Sequence, residues 1–248
     1  MILGIDITSI AEWKARLRRT PRTAALAFSP AELRASGGDP AFLALAWALK
    51  ESVAKAFGTG FTGIGWRAIE LLAIDARAVT VRAAFGSSAH GGLASAWRAD
   101  FVTDGDRVVA AVVASRGPVK LTSRLLALDR EGGRRQRSEQ LSCAARTAAG
   151  SAARELLGAD QVLDWGRTRR GAPLLRCRAG GPAISVSLAH GGGAAVALVA
   201  VAGDGDGASG AVDGAFAGEP IAIGLTLDRG VLRGVRAAQM SALAWSDT

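Results

Sequence analysis

Cysteine, lysine and histidine are scarce in this chain of 248 residues, and each scarcity excludes something. The two cysteines, Cys143 and Cys177, stand in no metal-ligand spacing and are too few for a disulfide framework, so they read as reduced small hydrophobes. Lysine occurs only at positions 14, 50, 55 and 120, so the 30 basic residues are nearly all arginine, against 22 acidic ones and a net charge of +8. Such a balance permits polyanionic partners. In a chain this rich in alanine and glycine, however, many arginines are simply solvated surface. No nucleic-acid motif and no interleaving of aromatic with basic residues appears, so a nucleic-acid binder ranks last among the possible functions. Long apolar runs are missing too. The most apolar stretch, Ala194 to Ala202, is far too short to cross a bilayer. Met1 leads directly into a strand-like segment with no basic leader before it. A soluble cytoplasmic protein without a membrane partner is the expectation.

What is present is organised in two similar halves. Residues 2–7 alternate, with Leu3, Ile5 and Ile7 on one face and Gly4 and Asp6 on the other, which predicts a half-buried strand carrying a carboxylate near its end. A basic stretch from Lys14 to Arg22 follows on a short helix broken by Pro21, and Ser29-Pro30 opens another helical turn. The clearest helix runs from about Phe42 to Phe57 and stops at Gly58. Leu45, Leu49, Val53 and Ala56 form its apolar stripe, while Glu51 and Lys55 share a different face. Strands are expected over 69–74, 79–85, 96–102 and 107–114, the last two joined as a hairpin. The second half reads as a helix over 142–157, strands at 183–188 and 194–201, a Gly/Asp/Ala-rich loop over 203–218 and a final strand over 221–227. The fold class is therefore α+β. Its predicted division is a first subdomain over 1–118, a linker over 119–140 and a second subdomain over 141–248.

Three elements carry the candidate chemistry: Asp6 on the first strand, the segment WALKESVAKAFGTG from Trp47 to Gly60, and SVSLAH from Ser185 to His190. Each alone is a weak motif. Together they resemble the 4'-phosphopantetheinyl transferase superfamily of holo-acyl-carrier-protein synthases, which carries a Gly-Ile-Asp strand and a W-x-x-K-E-x-x-x-K-x-x-G-x-G helix. The matching positions are Gly4, Ile5 and Asp6, then Trp47, Lys50, Glu51, Lys55, Gly58 and Gly60. The turn FSPAEL from Phe28 to Leu33, the Gly171-x-Pro173 loop and the Ser187-x-x-His190 strand end also match.

The resemblance implies transfer of the 4'-phosphopantetheine arm of coenzyme A onto a serine of an acyl, polyketide or peptidyl carrier protein, releasing adenosine 3',5'-bisphosphate. It implies magnesium on Asp6 and Glu51, and contacts to coenzyme A from Lys50, Lys55, Gly58, Gly60, Pro173, Ser187 and His190. Glu51 and Glu32 are both candidates to take the serine proton, with Lys55 beside them. The cluster Lys14, Arg16, Arg18, Arg19 and Arg22 matches the region that meets an acidic carrier helix. A monomeric pseudo-dimer is implied, with one composite site drawing metal ligands from the first half and coenzyme A contacts from the second.

The chain departs from the family at Thr8, where long members carry a second acid, and at Ala172, where a lysine is usual and Arg169 or Arg170 would substitute. It departs again at Thr226, which the segment EPIAIGLTL places at an aspartate position. A degenerate relative that binds carrier protein or coenzyme A without transfer is the alternative. His90 reads as a bystander in a turn.

Overall fold

The computed structural model describes residues 1–58, 60–61, 65–74, 78–83, 96–115, 119–127, 134–169 and 171–202. The first half contains strand β1 (Ile2–Ser9), helices α1 (Ile10–Arg19), α2 (Arg22–Ala27), α3 (Pro30–Ser36) and α4 (Pro40–Ala56), and strands β2 (Ile69–Ile74), β3 (Ala78–Ala83), β4 (Ala96–Asp104) and β5 (Arg107–Ala114). The second contains β6 (Val119–Ala127), α5 (Arg134–Leu157), β7 (Leu163–Arg167), β8 (Pro173–Cys177), β9 (Ile184–Gly191) and β10 (Ala194–Ala202). The two sheets are antiparallel and five-stranded, with orders β1-β5-β4-β3-β2 and β6-β10-β9-β8-β7. Strand for strand, the second order repeats the first. The expected α+β architecture of two similar subdomains, each a sheet packed with a long helix, is what the chain adopts.

Four layers result. Helix α4 covers one face of the first sheet through Leu45, Leu49 and Val53, and α5 covers one face of the second through Ala148, Ala149, Ala152 and Ala153. The inner faces meet in a core of Leu3, Ile5, Ile7, Val109, Ala111 and Val113 against Ala189, Ala194, Val196, Leu198 and Ala200. Alternation along β1 explains this: odd positions enter the core between the sheets, even positions face α4. Helix α4 is sharply delimited. The Asp39 side chain accepts from the N–H groups of Ala41 and Phe42, Pro40 takes the first turn, and Gly58 beyond the end adopts φ +74°.

Two sequence expectations change. Val119–Ala127, read as the start of a linker, is a strand of the second sheet paired along its whole length with β10. Helix α5 begins at Arg134, within the same segment. Strand β6 is therefore the counterpart of β1, the role that had been given to residues 221–227. Those residues, Thr226, the 203–218 loop and His90 lie outside the described residues. Matching the rows that face the core between the sheets, Ile5 corresponds to Ser123 and Asp6 to Arg124. No helix among the described residues is long and apolar enough to cross a membrane.

Candidate active site

Gly4, in the face of β1 turned toward α4, is what lets the site form. A Cβ there would stand 1.8 Å from the carbonyl oxygen of Ser52, so the helix lies directly on the strand backbone. The Ser52 hydroxyl donates to Ala110 O at 2.8 Å and fixes α4 over β5 as well. At that closeness the next even position, Asp6, lies under the last turn of α4. Lys55 Nζ donates to Asp6 Oδ1 at 2.7 Å and to Ile5 O at 3.2 Å. Thr8 Oγ1 donates to Asp6 Oδ2 at 3.1 Å, so the residue standing where a second acid was expected supports the first.

Glu51 sits one helical turn before Lys55 in the same cleft. Burial pushes its carboxyl above the ordinary glutamate range, and the neighbouring Asp6 pushes it further. Lys55, a hydrogen bond from Trp47 and the charge of Arg16 pull it back. Across the cleft, burial holds the His190 imidazole below its usual value, with Lys55 acting in the same direction. His190 is therefore neutral near pH 7.

Two hollows join at Lys55, Leu188 and His190. One, of about 420 Å³, is polar and holds Asp6, Glu51, Glu12 and Arg16. The other, of about 780 Å³, is bounded by Gly58, Gly60, Pro173 and Ser187, together with Trp165, Arg146 and Arg167. That size suits an elongated small molecule. Asp6, Glu51, Lys55 and His190 are thus brought together, and Gly58, Gly60, Pro173 and Ser187 line the adjoining wall.

Glu32 and Lys50 are not brought to the site. Both are fully buried, with Lys50 Nζ 2.9 Å from Glu32 Oε2. Glu32 also accepts from the N–H groups of Ser29 at 2.6 Å and Leu71 at 2.8 Å, and Lys50 donates to Ala27 O at 2.7 Å. Every polar atom of the pair is occupied in tying α3 and α4 to β2. A carboxylate so enclosed has no route to a substrate proton, and the ammonium none to a phosphate. Arg167 and Arg146 line the larger hollow where Arg169 or Arg170 had been expected; Arg170 lies outside the described residues. Arg146 lies in the interior of α5 and Trp165 in a five-residue strand, where nothing in the sequence pattern marks them. The hydrogen bond from Trp47 to Glu51 was not anticipated, although the two stand one helical turn apart.

The second half repeats the Asp6–Lys55 pair with its charges exchanged. Lys55 lies three residues before Gly58, the glycine ending α4, and Glu155 lies three before Gly158, the glycine after α5. Arg124, at the place of Asp6, makes a 2.5 Å ion pair with Glu155. Ser151 stands where Glu51 does.

The sequence model of the 4'-phosphopantetheinyl transferase superfamily matches residues 2–113. The chain is 40% identical over 73 residues to a holo-[acyl-carrier-protein] synthase of Alkaliphilus metalliredigens, spanning 28% of this chain and 60% of the relative. It is 37% identical over 83 residues to that of Streptococcus thermophilus, spanning 32% of this chain and 70% of the relative. The holo-[acyl-carrier-protein] synthase of Helicobacter pylori, solved in complex with coenzyme A, aligns with a TM-score of 0.41 at 24% identity over 46% of this chain and 100% of that one. This chain belongs to the 4'-phosphopantetheinyl transferase superfamily.

Proposed function

We propose that this protein transfers the 4'-phosphopantetheine arm of coenzyme A to a serine of an apo-carrier protein. The observation that carries the reading is the convergence of Asp6, Glu51, Lys55 and His190, from both halves of the chain, where the two hollows join. Coenzyme A would lie in the larger hollow, its pyrophosphate beside Lys55 and His190, and the carrier serine would enter through the polar one.

Burial and the adjacent Asp6 carboxylate both raise the proton affinity of Glu51, a setting in which a cation is welcome. No group of three or more metal-ligating side chains occurs among the described residues. The paired oxygen donors of Asp6 and Glu51 suit magnesium, which is commonly held by one or two carboxylates with phosphate oxygens and water. When bound, the ion would neutralise charge on the pyrophosphate.

The protein's own groups supply the rest. The serine oxygen bonds to the phosphorus next to pantetheine while the bond from that phosphorus to the bridging oxygen breaks, and adenosine 3',5'-bisphosphate leaves with the electron pair. The serine proton passes to Glu51, whose raised affinity for protons suits a base working near neutral pH. Lys55 keeps its ammonium within reach of the leaving phosphate. Arg16 lines the polar hollow from the last turn of α1, and with Arg18 and Arg19 of the same turn it would steer an acidic carrier surface there.

A binding-only relative is the second reading. It is favoured by one observation: both oxygens of Asp6 already accept, from Lys55 and Thr8. Intact-mass measurement decides between them. The protein is mixed with coenzyme A, magnesium and several apo-carrier proteins known to be competent with another transferase. Transfer predicts the mass of phosphopantetheine on at least one carrier; no addition to any leaves the binding reading.

A further inference from the structure

Where β9 meets β1, the seam between the two halves is made by a row of small side chains. Ser187, Ala189 and Gly191 alternate along the face of β9 turned toward β1, while Leu188 and His190 face the other way. Each member of the row meets β1 closely. The Ile5 N–H, turned away from β5 as alternate residues of an antiparallel pair are, donates to Ser187 Oγ at 3.1 Å in a buried setting. Ala189 packs in the core between the sheets with Ile5 and Ile7. At Gly191 a Cβ would stand 2.8 Å from Ile7 O. Just past the row, Arg107 Nε donates to Gly192 O at 3.1 Å.

Asp6 lies between the two β1 residues that this row engages, and His190 lies between its last two members. The separation of Asp6 and Lys55 from His190 is therefore set by how closely β9 seats on β1. Of these three, Ser187 alone has a hydrogen-bonding side chain. We propose that Ser187 is a positioning residue: its hydroxyl seats β9 against the Ile5 N–H and so fixes His190 opposite Asp6 and Lys55, and its effect on activity runs through that geometry and not through contact with coenzyme A. The activity part of this inference rests on the transfer reading above; the seam part does not.

The test uses the full chain and two readouts. Amide hydrogen exchange at Ile5 reads the seam directly. Ser187→Ala is expected to speed it by at least about tenfold, with Ser187→Cys, a weaker acceptor, falling between. In the transfer assay, Ser187→Ala should lower kcat about tenfold or more with KM for coenzyme A held within about twofold, the pattern of a lost transition-state geometry. Gly191→Ala perturbs the seam while leaving Ser187 intact and should give the same split. Unchanged Ile5 exchange in Ser187→Ala overturns the proposal. So does a raised KM for coenzyme A with kcat unchanged, which would make Ser187 a contact residue. If the wild-type chain modifies no carrier, the transfer reading fails, and Ile5 exchange alone still decides the seam.

Discussion

Gly4 and Ser52 meet backbone to backbone: a Cβ on Gly4 would stand 1.8 Å from the Ser52 carbonyl oxygen. A carbonyl held in a helix cannot step aside as a flexible side chain can. Gly4→Ala must therefore lift α4 from β1 and carry Lys55 away from Asp6. The expected loss is on the order of 3 kcal/mol by denaturant unfolding, the range of an overpacked core. Gly58 provides the contrast, because space is open around it and only its φ of +74° matters. Gly58→Ala should cost about 1 kcal/mol. Equal unfolding midpoints for the two variants would refute the contact.

Glu51 couples activity to stability in opposite senses. Burial, then Asp6, raises its carboxyl above the ordinary glutamate value of 4.5. The folded chain thus binds this proton more tightly than the unfolded chain. The stability linked to Glu51 is fully present below the unfolded value and is lost as pH rises through the folded one. At neutral pH the ionised carboxylate is a liability to the fold and, on the transfer reading proposed above, a requirement for the chemistry. Glu51→Gln is expected to melt at a higher temperature than wild type at pH 7, to lose that advantage below pH 4.5, and to transfer nothing. Thermal melts at the two pH values check it, and a lower melting temperature for the variant at pH 7 would contradict it.

How legible each feature was depends on where its determinants lie. The strand at Asp6 and the helix at Glu51 were readable because their signals are local: strict alternation in one, Asp39-Pro40 and Gly58 bracketing an apolar stripe in the other. Strand β6 was hidden, because Lys120, Thr122, Ser123 and Arg124 read as a polar connection until β10 is alongside. Glu32 looked like an available carboxylate because its capping-box position is local, whereas Lys50 and the Leu71 N–H that enclose it are distant in sequence. Arg146 and Trp165 reach the cleft only through the packing of the second half, which no spacing encodes.

The enclosed Glu32–Lys50 pair has its own signature. Burial drives the Lys50 ammonium below its ordinary value, and Glu32 opposes that shift. Lys50→Met leaves a buried carboxylate without its cation and should cost about 3–5 kcal/mol. Adding Glu32→Gln to the same chain removes the stranded charge and should recover much of the loss. Denaturant midpoints for both variants measure this. A double variant no more stable than Lys50→Met would show that the charge is not what matters.

Arg146 and Arg167 line the larger hollow from a helix and a strand, together with Trp165. With alanine at position 172, these are the guanidinium groups of the described residues that line the hollow. Arg146→Ala and Arg167→Ala should each raise KM for coenzyme A about tenfold or more, consistent with a charge-assisted contact. Arg167 also donates to Gly171 O at 2.8 Å, so its loss should loosen the Gly171–Pro173 turn as well. Unaltered KM in both variants would remove this wall from the coenzyme A site.

The exchange of charges between Asp6–Lys55 and Arg124–Glu155 predicts the number of sites per chain. A guanidinium where the first half has a carboxylate repels a divalent cation, and Ser151 offers no second carboxylate in place of Glu51. On the transfer reading, the duplicated locus therefore lacks the groups that would hold a metal-bound pyrophosphate, even though its strands and helix repeat the first half. Titration calorimetry should find one coenzyme A per chain. Glu155→Ala should leave the transfer rate within about twofold and unfolding within about 1 kcal/mol, because the Arg124–Glu155 pair is partly exposed to solvent. Asp6→Ala, the same truncation in the first half, should abolish transfer. Two bound coenzyme A molecules per chain, or equal losses from both variants, would mean that the second half also carries a working site.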